Sequence, residues 1–312
     1  MACGSFDRTC ANFGCFVFWT GKYYSDIQTP AGRIKIPMKL FYRKYGNGPP
    51  QIILHGLLGS SDNWVTIAKK ISGSYTVYIP DMRNHGNSPH SEIHDYQSMR
   101  DDLYELVIEL KLGKIFLAGH SMGGKTAIHF SLKWPELING LLVADISPFA
   151  NETVTQSGYN QHLSILNSIL SIDISSVSSR NEVDSLLSAE IPTEKIRSLI
   201  MKNLQRNSDK NFTWKINAVS LRKNLDKIMV GIERPTNETQ EVTGFPVIFL
   251  KGADSEYLPV KDFIYIQRLF PAAEFIIVEN AGHWIQVDRP NAVEENLLKL
   301  SDSVSSQSGL HN

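Results

Sequence analysis

The constraint that governs this chain is seven residues long. Gly119-His120-Ser121-Met122-Gly123-Gly124-Lys125 follows the apolar run Ile115-Phe116-Leu117-Ala118. It precedes a helical pattern over 126–134, with Ala127, Ile128, Phe130 and Leu132 apolar. A strand must therefore turn into a helix within a few residues. A side chain at 119 or 123 would collide with neighbouring backbone in so sharp a bend. Ser121 is left at the tip, at the N-terminus of a helix that favours negative charge there. A glycine-rich turn with an incidental serine is the competing reading, and the pattern alone is weak. The strand before it and the helix after it are what point to an exposed nucleophile.

With 312 residues the chain holds one large α/β domain or two small ones. A net charge of -1 indicates no polyanionic partner and argues against nucleic acid. Apolar residues make up 42%, yet no run approaches the about eighteen needed to span a membrane. Cys3, Cys10 and Cys15 are the only cysteines. The core therefore has no disulfide, thiolate metal site or cysteine nucleophile, which fits a reducing compartment such as the cytoplasm.

Residues 1–35 read as an N-terminal extension or leader. Cys15–Trp19 is too short for a secretory apolar region. Arg8 and Lys22 against Asp7 and Asp26 match a transit peptide poorly. From there strands and helices alternate. The expected strands are 38–45, 51–54, 75–79, 114–118 and 141–144, with helices over 62–71 and 96–112. Short, nearly all-apolar strands predict a mostly parallel sheet covered by helices on both faces. The loops at the strand C-terminal ends are where such folds place chemistry. The alternation stops near Pro148. Residues 148–242 read as a helical lid insertion, with helices over 162–170, 183–189, 194–204 and 218–229 and no strong strand. The core, 36–147, resumes at 243–304 with strands 246–250 and 274–278 and helices 260–270 and 291–300. Residues 305–312 read as a flexible tail.

A serine nucleophile needs a base, and the base an orienting acid. In the α/β-hydrolase arrangement the chain order is Ser, acid, His. His283 follows the last strand directly, in Asn280-Ala281-Gly282-His283-Trp284. Two acids compete. Asp145 ends the strand after the elbow helix, and Asp254 lies just past the next strand; spacing slightly favours Asp254. The oxyanion hole is expected from the backbone N–H groups of Met122 and of the loop after 51–54, where Leu57 is chosen. His85, His90 and His94 share a polar loop without regular ligand spacing, so no metal is expected. Lys125 reads as a solvated or structural charge. With no phosphate loop or dinucleotide fingerprint, no cofactor is expected.

Several motifs in series carry a resemblance. They are His55-Gly56-x-x-Gly59, Asp81-Met82-Arg83-Asn84-His85-Gly86-Asn87-Ser88, the Ser121 elbow, Val143-Ala144-Asp145-Ile146-Ser147-Pro148 and the His283 segment. Together with Phe212-Thr213-Trp214-Lys215-Ile216-Asn217 and Leu225-Asp226-Lys227-Ile228, they resemble the abhydrolase domain-containing protein 11 family over roughly residues 37–300. Related bacterial short-chain acyl esterases and yeast ethanol acetyltransferases share the pattern. The resemblance implies serine hydrolysis of acyl esters or lipids, acylglycerols among them, and a mitochondrial location. It also implies Asp145 as the acid, although members often carry Asn where this chain offers Asp254. Three readings follow: a carboxylester hydrolase of esterase or lipase type, an alcohol acyltransferase using the same residues, and a non-catalytic binding protein. The complete Ser, acid and His set weighs against the third, because a binder has no need of a base on its serine.

Overall fold

The computed structural model describes residues 28–29, 32–33, 38–150, 152–236 and 238–308. The chain divides into units 1–36 and 37–312. In the first, β1 (Gln28–Thr29) pairs antiparallel with β2 (Gly32–Arg33). The rest of the expected extension, including Cys3, Cys10 and Cys15, lies outside the described residues.

The second unit opens with β3 (Tyr42–Tyr45), β4 (Pro50–Leu54), α1 (Val65–Ile71), β5 (Thr76–Pro80) and α2 (Tyr96–Glu109). Next come β6 (Ile115–His120), α3 (Met122–Lys133) and β7 (Ile138–Ala144). After the 148–242 segment, β10 (Val247–Gly252), α9 (Phe263–Leu269), β11 (Ala273–Val278), α10 (Ile285–Asp288) and α11 (Pro290–Ser308) complete the core. Seven strands form one sheet in the order β11-β10-β7-β6-β4-β5-β3. Only the β3–β5 pairing is antiparallel.

Alternation along each strand sends side chains to two cores. Ile52, Leu54, Leu117, Leu141, Val143 and Phe249 pack with residues of α2 and α3 on one face. Ile53, Ala118, Leu142, Ala144, Ile248 and Leu250 pack with α1 and α11 on the other. Sequential strands on either side of β6 and β7 thus bring their C-terminal ends to one rim.

Within 148–242 lie α4 (Glu152–Ser171), α5 (Arg180–Ser188), α6 (Glu194–Met201), α7 (Ala218–Lys223) and α8 (Leu225–Met229). The expectation of an all-helical insertion needs correction. Leu204–Arg206 and Phe212–Trp214 pair as an antiparallel hairpin, β8 and β9, with Leu204 opposite Trp214. Asx chemistry closes it: the Asn207 side chain accepts from the N–H groups of Asp209 and Asn211, and Lys210 takes a left-handed φ of 65°. Three further differences stand out. The strand expected over 38–45 spans only 42–45, because Phe41 N–H turns to the Ser88 hydroxyl. The helix expected over 218–229 divides at Asn224, whose amide donates to Glu92 O and Ser220 O. The last helix runs through Ser308, so 305–308 are helical rather than tail. No described helix is long and apolar enough to cross a membrane.

Candidate active site

The elbow is built from backbone. Ser121 sits between β6 and α3 with φ 53° and ψ -117°, a costly conformation for a residue with a Cβ. A Cβ at Gly123 would lie 2.5 Å from Leu54 O, and one at Gly119 would strike the Gly123 carbonyl. Both glycines are therefore required. Ser121 N–H donates to Ala144 O at 3.1 Å, which ties the turn to the end of β7.

That end carries Asp145, fully buried and also at positive φ, 49°. Its Oδ1 accepts from Gly252 N–H at 2.9 Å, and its Oδ2 accepts from the Ser255 hydroxyl and from His283 Nδ1–H at 2.9 Å. On the other side of the ring, the Ser121 hydroxyl donates to His283 Nε2 at 3.0 Å. Ser121, His283 and Asp145 thus stand in one line. Asp254 does not join them. It is exposed, its N–H donates to Ala281 O at 3.0 Å, and both ring nitrogens of His283 are taken by Asp145 and Ser121. The reason is topological. β7 and β10 are neighbours, and the turn after β10 points Gly252 N–H and the Ser255 hydroxyl back at Asp145 rather than offering its own acid. Buried Lys251 holds that turn by donating to Gly252 O at 2.7 Å and Ser255 O at 2.6 Å.

Leu57 lies beside Ser121 in the loop after β4, and Met122 is the first residue of α3. The first N–H of a helix has no partner within it, and Leu57 N–H donates to no described protein group. The loop is braced from beneath. Leu58 N–H donates to His85 Nε2 at 3.2 Å, and Met82 N–H to His55 Nε2 at 2.9 Å. Burial lowers both histidines from their ordinary value, so each stays neutral and accepts on that nitrogen. His94, also buried, is pushed down to about 3. Asp81 accepts from Ser61 N–H at 2.6 Å and Asn87 N–H at 2.8 Å, and Arg83 forms a buried two-point pair with Asp102 at 2.6 and 2.7 Å. The Asp81–Ser88 motif is thus a brace for the loop after β4.

Several contributors carried little sequence signal. His120 occupies a freely variable place in G-x-S-x-G. Its Nε2–H donates to His283 O at 2.7 Å, and burial pushes it down to about 3. Tyr257 stacks on His283 with ring centroids 3.8 Å apart. Of the two expectations for Lys125 the structural one holds: it is buried and donates to Met229 O at 3.3 Å and Val230 O at 2.7 Å, pinning the 148–242 segment to α3. The lid is anchored further by Asn203 Nδ2 to Leu58 O at 2.7 Å and by the Tyr96 hydroxyl to Ile228 O at 2.6 Å. His162, Ile228 and Met229 of the lid share a cleft with Ser121.

A family model described as alpha/beta hydrolase fold matches residues 49–290. The chain is 34% identical over 270 residues to sn-1-specific diacylglycerol lipase ABHD11 of Danio rerio, covering 85% of this chain and 82% of that protein. To the protein of the same name from Mus musculus it is 35% identical over 245 residues, covering 78% and 77%. A solved marine microorganism esterase superposes with TM-score 0.80 at 39% identity, covering 84% of this chain and 99% of the other.

Proposed function

The chain belongs to the α/β-hydrolase family, and from that premise we propose that it is a serine carboxylester hydrolase of esterase or lipase type, acting on acyl esters, acylglycerols among them. The observation that carries the reading is one imidazole between two partners, His283 with Asp145 at 2.9 Å and Ser121 at 3.0 Å. In this reading Ser121 Oγ attacks the acyl carbonyl and its proton passes to His283 Nε2. Asp145 holds the tautomer through Nδ1–H and stabilises the imidazolium. The N–H groups of Leu57 and Met122 receive the oxyanion; one such donor is worth about 2.7 to 4 kcal/mol in the transition state. His283 returns the proton to the departing alcohol, leaving an acyl-enzyme on Ser121. The same ring then deprotonates the water that releases the acid. The lid, 148–242, excludes bulk water and shapes the acyl site. The names of the relatives support acylglycerols as substrates. A mitochondrial location rests on the resemblance, and imaging a fluorescent fusion of the full chain tests it.

A fluorophosphonate probe on the folded protein tests the chemistry. Labelling of wild type and none of Ser121→Ala is expected. An unlabelled wild type that nonetheless binds acyl esters would convert the reading to a binding protein.

A further inference from the structure

Two clefts open from Ser121 beneath the lid. Tyr96, Phe149, Ile228 and Met229 line one. Leu58, Ile196, His283 and Trp284 line the other. Among the described residues, three border both: Leu57, Ser121 and His162. The first two are the expected oxyanion donor and the nucleophile, so the junction of the clefts is where an ester group sits. The third is a lid histidine on α4 with no part in the Ser121, His283 and Asp145 line.

His162 has one ring nitrogen shut and one open. Nδ1 is buried with no hydrogen-bond partner. The residue as a whole is only half-buried, so the accessible edge of the ring is the far one, which carries Nε2. That nitrogen is not sealed off and has no partner among the described residues. Burial pushes the ring down to about 4, with nearby His283 adding to the shift, so it is neutral at ordinary pH and carries one N–H. A sealed N–H without a partner is rarer in proteins than a sealed acceptor without one. The proton therefore sits on Nε2, at the edge that meets the clefts.

On the proposed esterase reading, the ester's other atoms at this junction already have partners. The carbonyl carbon meets Ser121 Oγ, and the carbonyl oxygen faces the Leu57 and Met122 N–H groups. The alkoxy oxygen, which becomes basic as the C–O bond stretches, has no donor besides the His283 proton. We propose that His162 is a further catalytic residue, whose Nε2–H donates to the leaving oxygen as that bond breaks. The electron pair of the C–O bond goes to the alkoxy oxygen, His283 Nε2 delivers its proton there, and His162 keeps its own proton throughout. A donor aimed at developing charge acts only in the transition state. The lid then selects by leaving group. Alkoxides of ordinary alkanols are strong bases and need the donor; those of acidic alcohols hold their charge unaided.

The test holds the acyl group constant and the alcohol nearly constant in size. Values of kcat/KM are measured on ethyl butyrate and on 2,2,2-trifluoroethyl butyrate, whose alcohol is the stronger acid. His162→Phe keeps a ring and removes the N–H. It is expected to lower kcat/KM on the ethyl ester about tenfold or more, and on the trifluoroethyl ester by less than about threefold. His162→Gln restores a donor and is expected to recover most of the loss on the ethyl ester. An unchanged ratio of the two esters in His162→Phe, with or without a loss of rate, assigns the ring a structural role and overturns the proposal while leaving the esterase reading intact. So does a His162→Gln variant as impaired on the ethyl ester as His162→Phe. A wild type that cleaves neither ester and takes no fluorophosphonate overturns both. If His162→Phe does not fold, His162→Leu takes its place as the variant without a donor.

Discussion

The rim of the sheet and the lid above it are held by different means. At the rim, backbone geometry does the positioning. Ser121 and Asp145 both sit at positive φ, Gly119 and Gly123 leave no room for a Cβ, and a Cβ at Gly252 would strike the Gly282 carbonyl next to His283. The 148–242 segment is hung mainly on side chains that reach backbone carbonyls, Asn203 to Leu58 O, Asn224 to Glu92 O, Ser220 to Ser91 O and Lys125 to Val230 O, with Asn217 N–H to Asn84 O beside them. The first scheme fixes Ser121, Asp145 and His283 and leaves almost no room for change. The second rests on several separate bonds, so the loss of one anchor removes only part of it. Mutations at the rim should therefore cost orders of magnitude in rate, and mutations in the lid should change selection and stability by modest amounts.

The largest expected effect is at the serine. Ser121→Ala should lower kcat by on the order of 10⁶ while leaving the unfolding midpoint near wild type. His283→Ala should act alike, and the double variant should be little worse than either, since members of such a unit are not additive. Residual esterase activity above about 1% in Ser121→Ala sinks the rim assignment. Next comes the acid. Asp145→Asn should lower kcat by about 10³ to 10⁴ with modest change in KM, because the orienting carboxylate fixes the tautomer rather than binding substrate. On the lid side, Asn203→Ala removes one anchor and should cost about 1–3 kcal/mol in stability. Preference within a series of acyl chain lengths should move by several-fold, against a small change in kcat on the shortest ester. If kcat on that ester falls as far as in Asp145→Asn, the lid is part of the reacting machinery and the contrast fails.

Acid should weaken the whole fold gradually. Burial pushes His120 and His94 down to about 3 and His129 and His162 to about 4, from an ordinary 6.5. Below pH 6.5 the unfolded chain therefore binds protons that the native state refuses, so stability falls as pH drops from 6.5 toward 4. A buried neutral histidine adds at most about 1.4 kcal/mol per pH unit in the lower part of that window, and the partly buried His129 less. His129, stacked on Tyr96 away from the reacting atoms, offers a clean check. His129→Gln should flatten the slope of the urea-unfolding free energy between pH 6.5 and 5. An unchanged slope rejects this account.

The same contrast decides what the sequence revealed. The Ser121 elbow was legible because its demands are local: a strand, two obligate glycines and a helix lie within twenty residues. His283 was legible from its place after the last strand. His120, Ser255 and Tyr257 were not, because their roles exist only once β6, β10 and the His283 segment are brought together. Two misreadings share a cause. The β8–β9 hairpin hides in a polar Asn207–Asn211 stretch whose Asx turn resembles an ordinary loop, and Asn224 interrupts an apolar period that otherwise runs through to Met229. In both, a side chain bonding backbone outweighed periodicity.

The smallest expected effect separates the two carboxylates. Spacing along the chain favours Asp254, since it follows the strand that precedes the histidine strand. Geometry favours Asp145. Its two oxygens accept from Gly252 N–H, Ser255 and His283, and it is fully buried, while Asp254 is exposed and bound to the rim through its own N–H. An exposed carboxylate is screened by solvent, so its influence on the imidazolium is weak. Asp254→Asn should therefore change kcat by at most about tenfold, against the thousandfold or more at Asp145. The pair is measured under one set of conditions on one ester. Reversal of that ranking would mean that the loop after β10 rearranges on binding to bring Asp254 to the ring, and that the rim is less rigid than its backbone implies.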